Sequence, residues 1–82
     1  MIFLLGILNT MSSILTALGK NIKSYRKQLG MTQEDLAKRA GVNRSHLAMI
    51  ENSRHNVLVE TIERLAQALG VTAGDLLRKN DE

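Results

Sequence analysis

Apolar positions along the chain recur at offsets of three and four, broken at short intervals by glycine or a capping residue, and no stretch alternates with the period of a strand. The chain opens on an apolar run, MIFLLGIL, then polar NTMSS, then apolar ILTAL, with no charge before Lys20. Ser12 or Ser13 can cap a helix predicted to run to about Leu29, with Leu15, Leu18, Ile22, Tyr25 and Leu29 as one apolar stripe. Gly30 ends that helix. Leu36, Ala37 and Ala40 then share a face, predicting a second helix capped by Thr32, with Glu34 and Asp35 in the first turn where the helix dipole favours negative charge. Gly41 supplies a left-handed residue, Val42 folds back as an apolar contact, and Asn43 caps a third helix. That helix buries Leu47 and Ile50 and leaves Arg44, Ser45, His46, Ala48 and Met49 outside. A turn over residues 51–56 follows, in which Asn52 tolerates a left-handed conformation. Val59 or Glu60 opens a fourth helix with Ile62, Leu65, Ala66 and Leu69 inward; Gly70 ends it and Val71 packs inward. Thr72 caps a short last helix closed by Leu76 and Leu77. The expectation is all-α: five helices around one core. Residues 1–11 form an apolar extension, 12–78 the domain and 79–82 a charged tail.

The middle of this pattern carries the function. A helix, a glycine turn and a second helix with a polar, basic, small-residue outer face form the geometry that enters a DNA major groove. Charge supports that reading. The net charge of the 82 residues is +3, but Lys20 to Arg54 holds eight Lys/Arg against three Asp/Glu, and His55 to Glu82 three against five. The basic part coincides with the helix pair, as an electrostatic footprint for phosphates requires. Lys20, Lys23, Arg78 and Lys79 read equally well as ordinary solvated charges.

The segments TQEDLA, AGVNRSHLAMIE and IERLAQALGV, in that order and spacing, resemble the phage-repressor-like (Cro/C1, or XRE) helix-turn-helix transcriptional regulators over about Leu18 to Leu77. Asn56-Val57 is a short likeness to the controller proteins of restriction–modification systems, a subgroup of that family. The resemblance implies a five-helix lambda-repressor-like domain that binds a palindromic operator on double-stranded DNA as a homodimer, in the cytoplasm. It implies a phosphate-gripping Gln33, which also braces the third helix, and a partly buried Arg26–Glu51 ion pair fixing the angle between helices; the alternative for Arg26 is a phosphate contact. Arg44, Ser45 and His46 occupy the turn that reaches bases, where Arg44 can contact guanine bidentately. Ala48 and Met49 suit thymine methyls, and Arg54, His55 and Asn56 read as backbone contacts. Two departures stand out: Ser53 where many relatives carry Gly, and the apolar Leu58.

Other classes lack their parts. There is no Cys and no Pro, so disulfides and thiolate metal sites are excluded and helices can run unbroken. His46 and His55 have no carboxylate at ligand spacing, and Ser45 beside His46 cannot act as a pair because adjacent helical residues do not face each other. No enzyme, cofactor or metal is expected. The first ten residues lack the basic start and cleavage site of a signal peptide, and Asn9, Thr10, Ser12, Ser13 and Thr16 weigh against a membrane span. Their apolar side chains suit a subunit contact. The predicted dimer surface combines Phe3 and Leu5 with Leu58, Val71, Leu76 and Leu77. The alternative is an antitoxin-type protein that binds a partner protein as well as DNA.

Overall fold

The computed structural model describes residues 2–53 and 56–79, with side chains described from residue 13 onward. Among these residues every regular element is helical: α1 (Ile2–Gln28), α2 (Gln33–Ala40), α3 (Arg44–Glu51), α4 (Val59–Leu69) and α5 (Ala73–Leu77). No strand occurs among them.

α1 differs from expectation. It does not begin at Ser12 or Ser13 but runs from Ile2 without interruption for 27 residues, about 40 Å at 1.5 Å per residue. Serine, threonine and asparagine are weaker helix formers than alanine by only a few tenths of a kcal/mol each. With helix on both sides, the NTMSS stretch cannot break the ladder. At the other end α1 stops at Gln28, and Leu29 lies in the closing turn, where it is 53% exposed and leaves the predicted stripe.

The same closing device ends three helices. After α2, the Gly41 N–H bonds to Lys38 O at 3.3 Å and the Val42 N–H to Ala37 O at 3.0 Å, with Gly41 left-handed at φ 69°. This paired 5→2 and 6→1 arrangement satisfies carbonyls that the helix leaves open. It recurs at Gly30-Met31 after α1 and at Gly70-Val71 after α4. Val42 and Val71 then pack, half-buried, against the core.

α1 packs against α3, α4 and α5; α2 packs against α3 and α4; α4 packs against α5. Leu18, Ile22, Leu36, Leu47, Ile50, Leu65 and Leu76 are fully buried where these helices meet. Leu76 was expected at a subunit surface; its 0% exposure places it inside its own chain's core instead. Val71 and Leu77 are half-buried against that core, while Leu58, the N-cap residue of α4, is 74% exposed and uncovered by its own chain.

α5 is only five residues long and is tied down from outside. The buried Asn21 of α1 donates its amide to Leu76 O at 2.8 Å and Arg78 O at 2.7 Å, supplying donors that the end of α5 lacks.

Candidate nucleic-acid interface

Local chemistry sets the two helices of the central pair. Thr32 caps α2 reciprocally: the Asp35 N–H donates to Thr32 Oγ1 at 3.0 Å, and the Thr32 N–H donates to Asp35 Oδ2 at 2.9 Å. That hydrogen bond from the Thr32 backbone, then one with its side chain, holds the Asp35 carboxyl below the usual carboxylate range. Asn43 caps α3, its side-chain oxygen accepting from the His46 N–H at 3.2 Å. The first turn of α3 therefore begins at Arg44, outward-facing.

Arg44 and Ser45 are exposed and His46 is half-buried on that turn. Ala48 is half-buried and Met49 is 41% exposed one turn on. Among the described residues no carboxylate forms an ion pair with Arg39 or Arg44. Lys38 lies 4.0 Å from Glu34 across one helical turn, an exposed pair that contributes little. Asn56 is exposed, whereas Arg54 and His55, expected at the backbone, lie outside the described residues, as do the side chains of Phe3 and Leu5.

The opposite end of α3 is held by a polar clamp. Arg26 Nε donates to Glu51 Oε2 at 2.7 Å and Nη2 to Glu51 Oε1 at 3.0 Å, while Nη1 donates to Met31 O at 2.8 Å. Gln33 Nε2 adds a donor to Glu51 Oε1 at 3.1 Å. Three elements (α1, α2 and α3) thus meet at one carboxylate. The pair is nearly dry, with side-chain exposures of 10% for Arg26 and 2% for Glu51. Hydrogen bonding to Glu51 raises the Arg26 guanidinium above its ordinary value against the opposing cost of burial, so its charge is permanent. Its three bonds leave Arg26 committed inward and unsuited to holding a phosphate.

A second contact at this end escaped sequence reasoning. Gly19 is buried in the middle of α1, and a Cβ there would stand 2.5 Å from Ile50 O, 2.8 Å from Glu51 O and 3.0 Å from Ser53 Oγ. Glycine inside a helix costs roughly 0.5–1 kcal/mol relative to alanine. That cost is offset by backbone-to-backbone packing of α1 on the end of α3. The signal was a lone glycine amid apolar positions in a helical pattern. Beside it, Ser53 takes the left-handed conformation at φ 60°, while Asn52, which tolerates that conformation, stays at φ −90°. The chain thus reverses after α3 with serine in a conformation that suits glycine.

Comparison with known proteins agrees with this geometry. Residues 22–76 match the family model described as helix-turn-helix. A hypothetical transcription factor of Neisseria meningitidis is 38% identical over 60 residues, 73% of this chain and 57% of its own length. The crystal structure of the Neisseria factor superposes with a TM-score of 0.78, covering 83% of this chain and 78% of that one. The restriction–modification controller protein C.AhdI of Aeromonas hydrophila is 32% identical with a TM-score of 0.73, covering 76% of this chain and 94% of its own. SinR, a relative found in Bacillus subtilis and solved in complex with DNA, is 35% identical with a TM-score of 0.72 over 74% of this chain and 98% of that one. This chain thus spans a little over half of the curated Neisseria relative. With the capped helix pair, the Arg26–Glu51 clamp and these likenesses together, the chain belongs to the helix-turn-helix family of Cro/C1-type (XRE) transcriptional regulators.

Proposed function

We propose that the chain is a sequence-specific DNA-binding regulator that reads a palindromic operator as a homodimer, in the cytoplasm, through the first turn of α3. The carrying observation is Arg44: exposed, next to the cap of α3 and without an ion-pair partner among the described residues. A guanidinium so presented suits bidentate contact with guanine O6 and N7, and Ser45 can bond a base or a phosphate. The N-terminus of α2, with Gln33, suits a phosphate. Ala48 and Met49 supply apolar contact, and Arg54, His55 and Asn56 complete the backbone grip. A domain this small needs two copies for tight binding, their recognition helices about 34–36 Å apart. Leu58 and Val59, 74% and 69% exposed, with the half-buried Val71 and Leu77, offer apolar surface for that contact. No observation among the described residues favours the antitoxin-type alternative over self-association.

Selection of bound sequences from random duplexes tests the reading. An inverted repeat should emerge, with affinity falling steeply as salt rises because counterions are released from phosphates. Arg44→Ala should relax preference at one position per half-site, by roughly 1–3 kcal/mol. Gln33→Ala should weaken every sequence alike. A flat salt response would remove nucleic acid from consideration, and uniform loss for Arg44→Ala would reassign it to phosphate.

A further inference from the structure

We infer that Gly19 is a positioning residue for DNA reading: the absence of its side chain sets the depth and angle at which α3 is presented. This rests on the DNA-binding reading above. α1 and α3 meet at Gly19 through main chain, since its missing Cβ would lie 2.5 Å and 2.8 Å from the carbonyl oxygens of Ile50 and Glu51. Main chain cannot rotate aside as a side chain can. Ordinary contact begins at 3.4 Å, so alanine at this position must push the end of α3 from α1 by about 1 Å in an interior that is already close-packed.

Where that displacement goes is set by the clamp. The Glu51 carboxylate is bonded to Arg26 of α1 and Gln33 of α2, so the side chain at the end of α3 is tied to both helices while the neighbouring main-chain carbonyls face Gly19. Over its eight residues α3 is treated as a rod: the main chain at Ile50 and Glu51 is pushed from Gly19 while the Glu51 carboxylate holds, and the rod turns about that carboxylate. Arg44 stands at the far end of the rod. Base recognition needs donor–acceptor distances of about 2.7–3.2 Å, whereas attraction to phosphates survives small displacements. The substitution should therefore reduce discrimination between sequences more than it reduces attraction to DNA as such.

The experiment compares Gly19→Ala with Leu69→Ala, a core change in α4, at a temperature where each chain is fully folded by circular dichroism. Dissociation constants are measured for the selected operator duplex and for a random duplex of the same length, at one salt concentration. Gly19→Ala should lower the operator-to-random affinity ratio at least tenfold; Leu69→Ala should change it less than twofold. Wild-type selectivity in Gly19→Ala overturns the inference, and an equal loss of ratio in Leu69→Ala does so too. A wild-type chain with no sequence preference overturns the DNA reading and the inference with it. If Gly19→Ala folds too weakly, it is combined with Ser53→Gly, which removes the third contact and the left-handed serine, and compared with Ser53→Gly alone. Failure of that combined variant to fold also overturns the inference, because Gly19 would then serve the fold as a whole.

Discussion

Arg26 and Glu51 show what a buried pair contributes at the scale of single residues. Taking two charges out of water costs about what their attraction returns, whereas leaving one of them alone costs roughly 3–5 kcal/mol. Glu51→Gln should therefore lower the unfolding free energy by about 3 kcal/mol, and Arg26→Met with Glu51→Leu by less than about 1 kcal/mol. Urea denaturation of the three chains measures both. The double variant should nevertheless lose operator selectivity, since the bidentate geometry that orients α3 is gone. The pair was legible in the sequence through family resemblance. Gln33 was legible as a brace of the third helix, and its bond to Glu51 at 3.1 Å is that brace. Asn21 was not legible, and Gly19 only as a lone glycine in a helical pattern: their partners are backbone carbonyls more than 30 residues away, which no local pattern names.

At the scale of elements, helix starts and stops were the most readable feature. Thr32, Asn43 and Thr72 stand as N-caps, and Gly41 and Gly70 as left-handed ends. The return bonds from Asp35 and Asp75 were not anticipated, and they carry a pH signature. In both boxes the backbone N–H of the capping threonine is the first cause, and its side chain the second, of a lowered carboxyl pKa. A lowered folded pKa adds stability above the unfolded value of about 4. That stability is lost as the pH falls through the lower folded value. Thermal unfolding followed downward from about pH 5 should show a falling acid limb, and Asp35→Asn with Asp75→Asn should flatten it. The misread element was α1. Its period was recognised, yet its start was assigned to a serine that the helix simply runs through, because weak helix formers end a helix only where nothing continues it.

For the whole molecule, the fully buried side chains among the described residues run from Leu18 to Leu76. A chain beginning at Met11 should fold but dimerise more weakly and lose operator affinity in step. Sedimentation equilibrium on both chains decides this, and equal dimerisation would assign the contact to α4 and α5 alone. The tie from Asn21 to the end of α5 has a consequence in time rather than in space. It joins residues 55 and 57 positions apart in sequence. Five residues are too few to nucleate a helix in water, and so wide a loop gains nothing until it closes. α5 therefore cannot act as a seed. It is expected to form only once α1 is standing to receive it, so amide exchange over residues 73–77 should be among the fastest of any helix in the core.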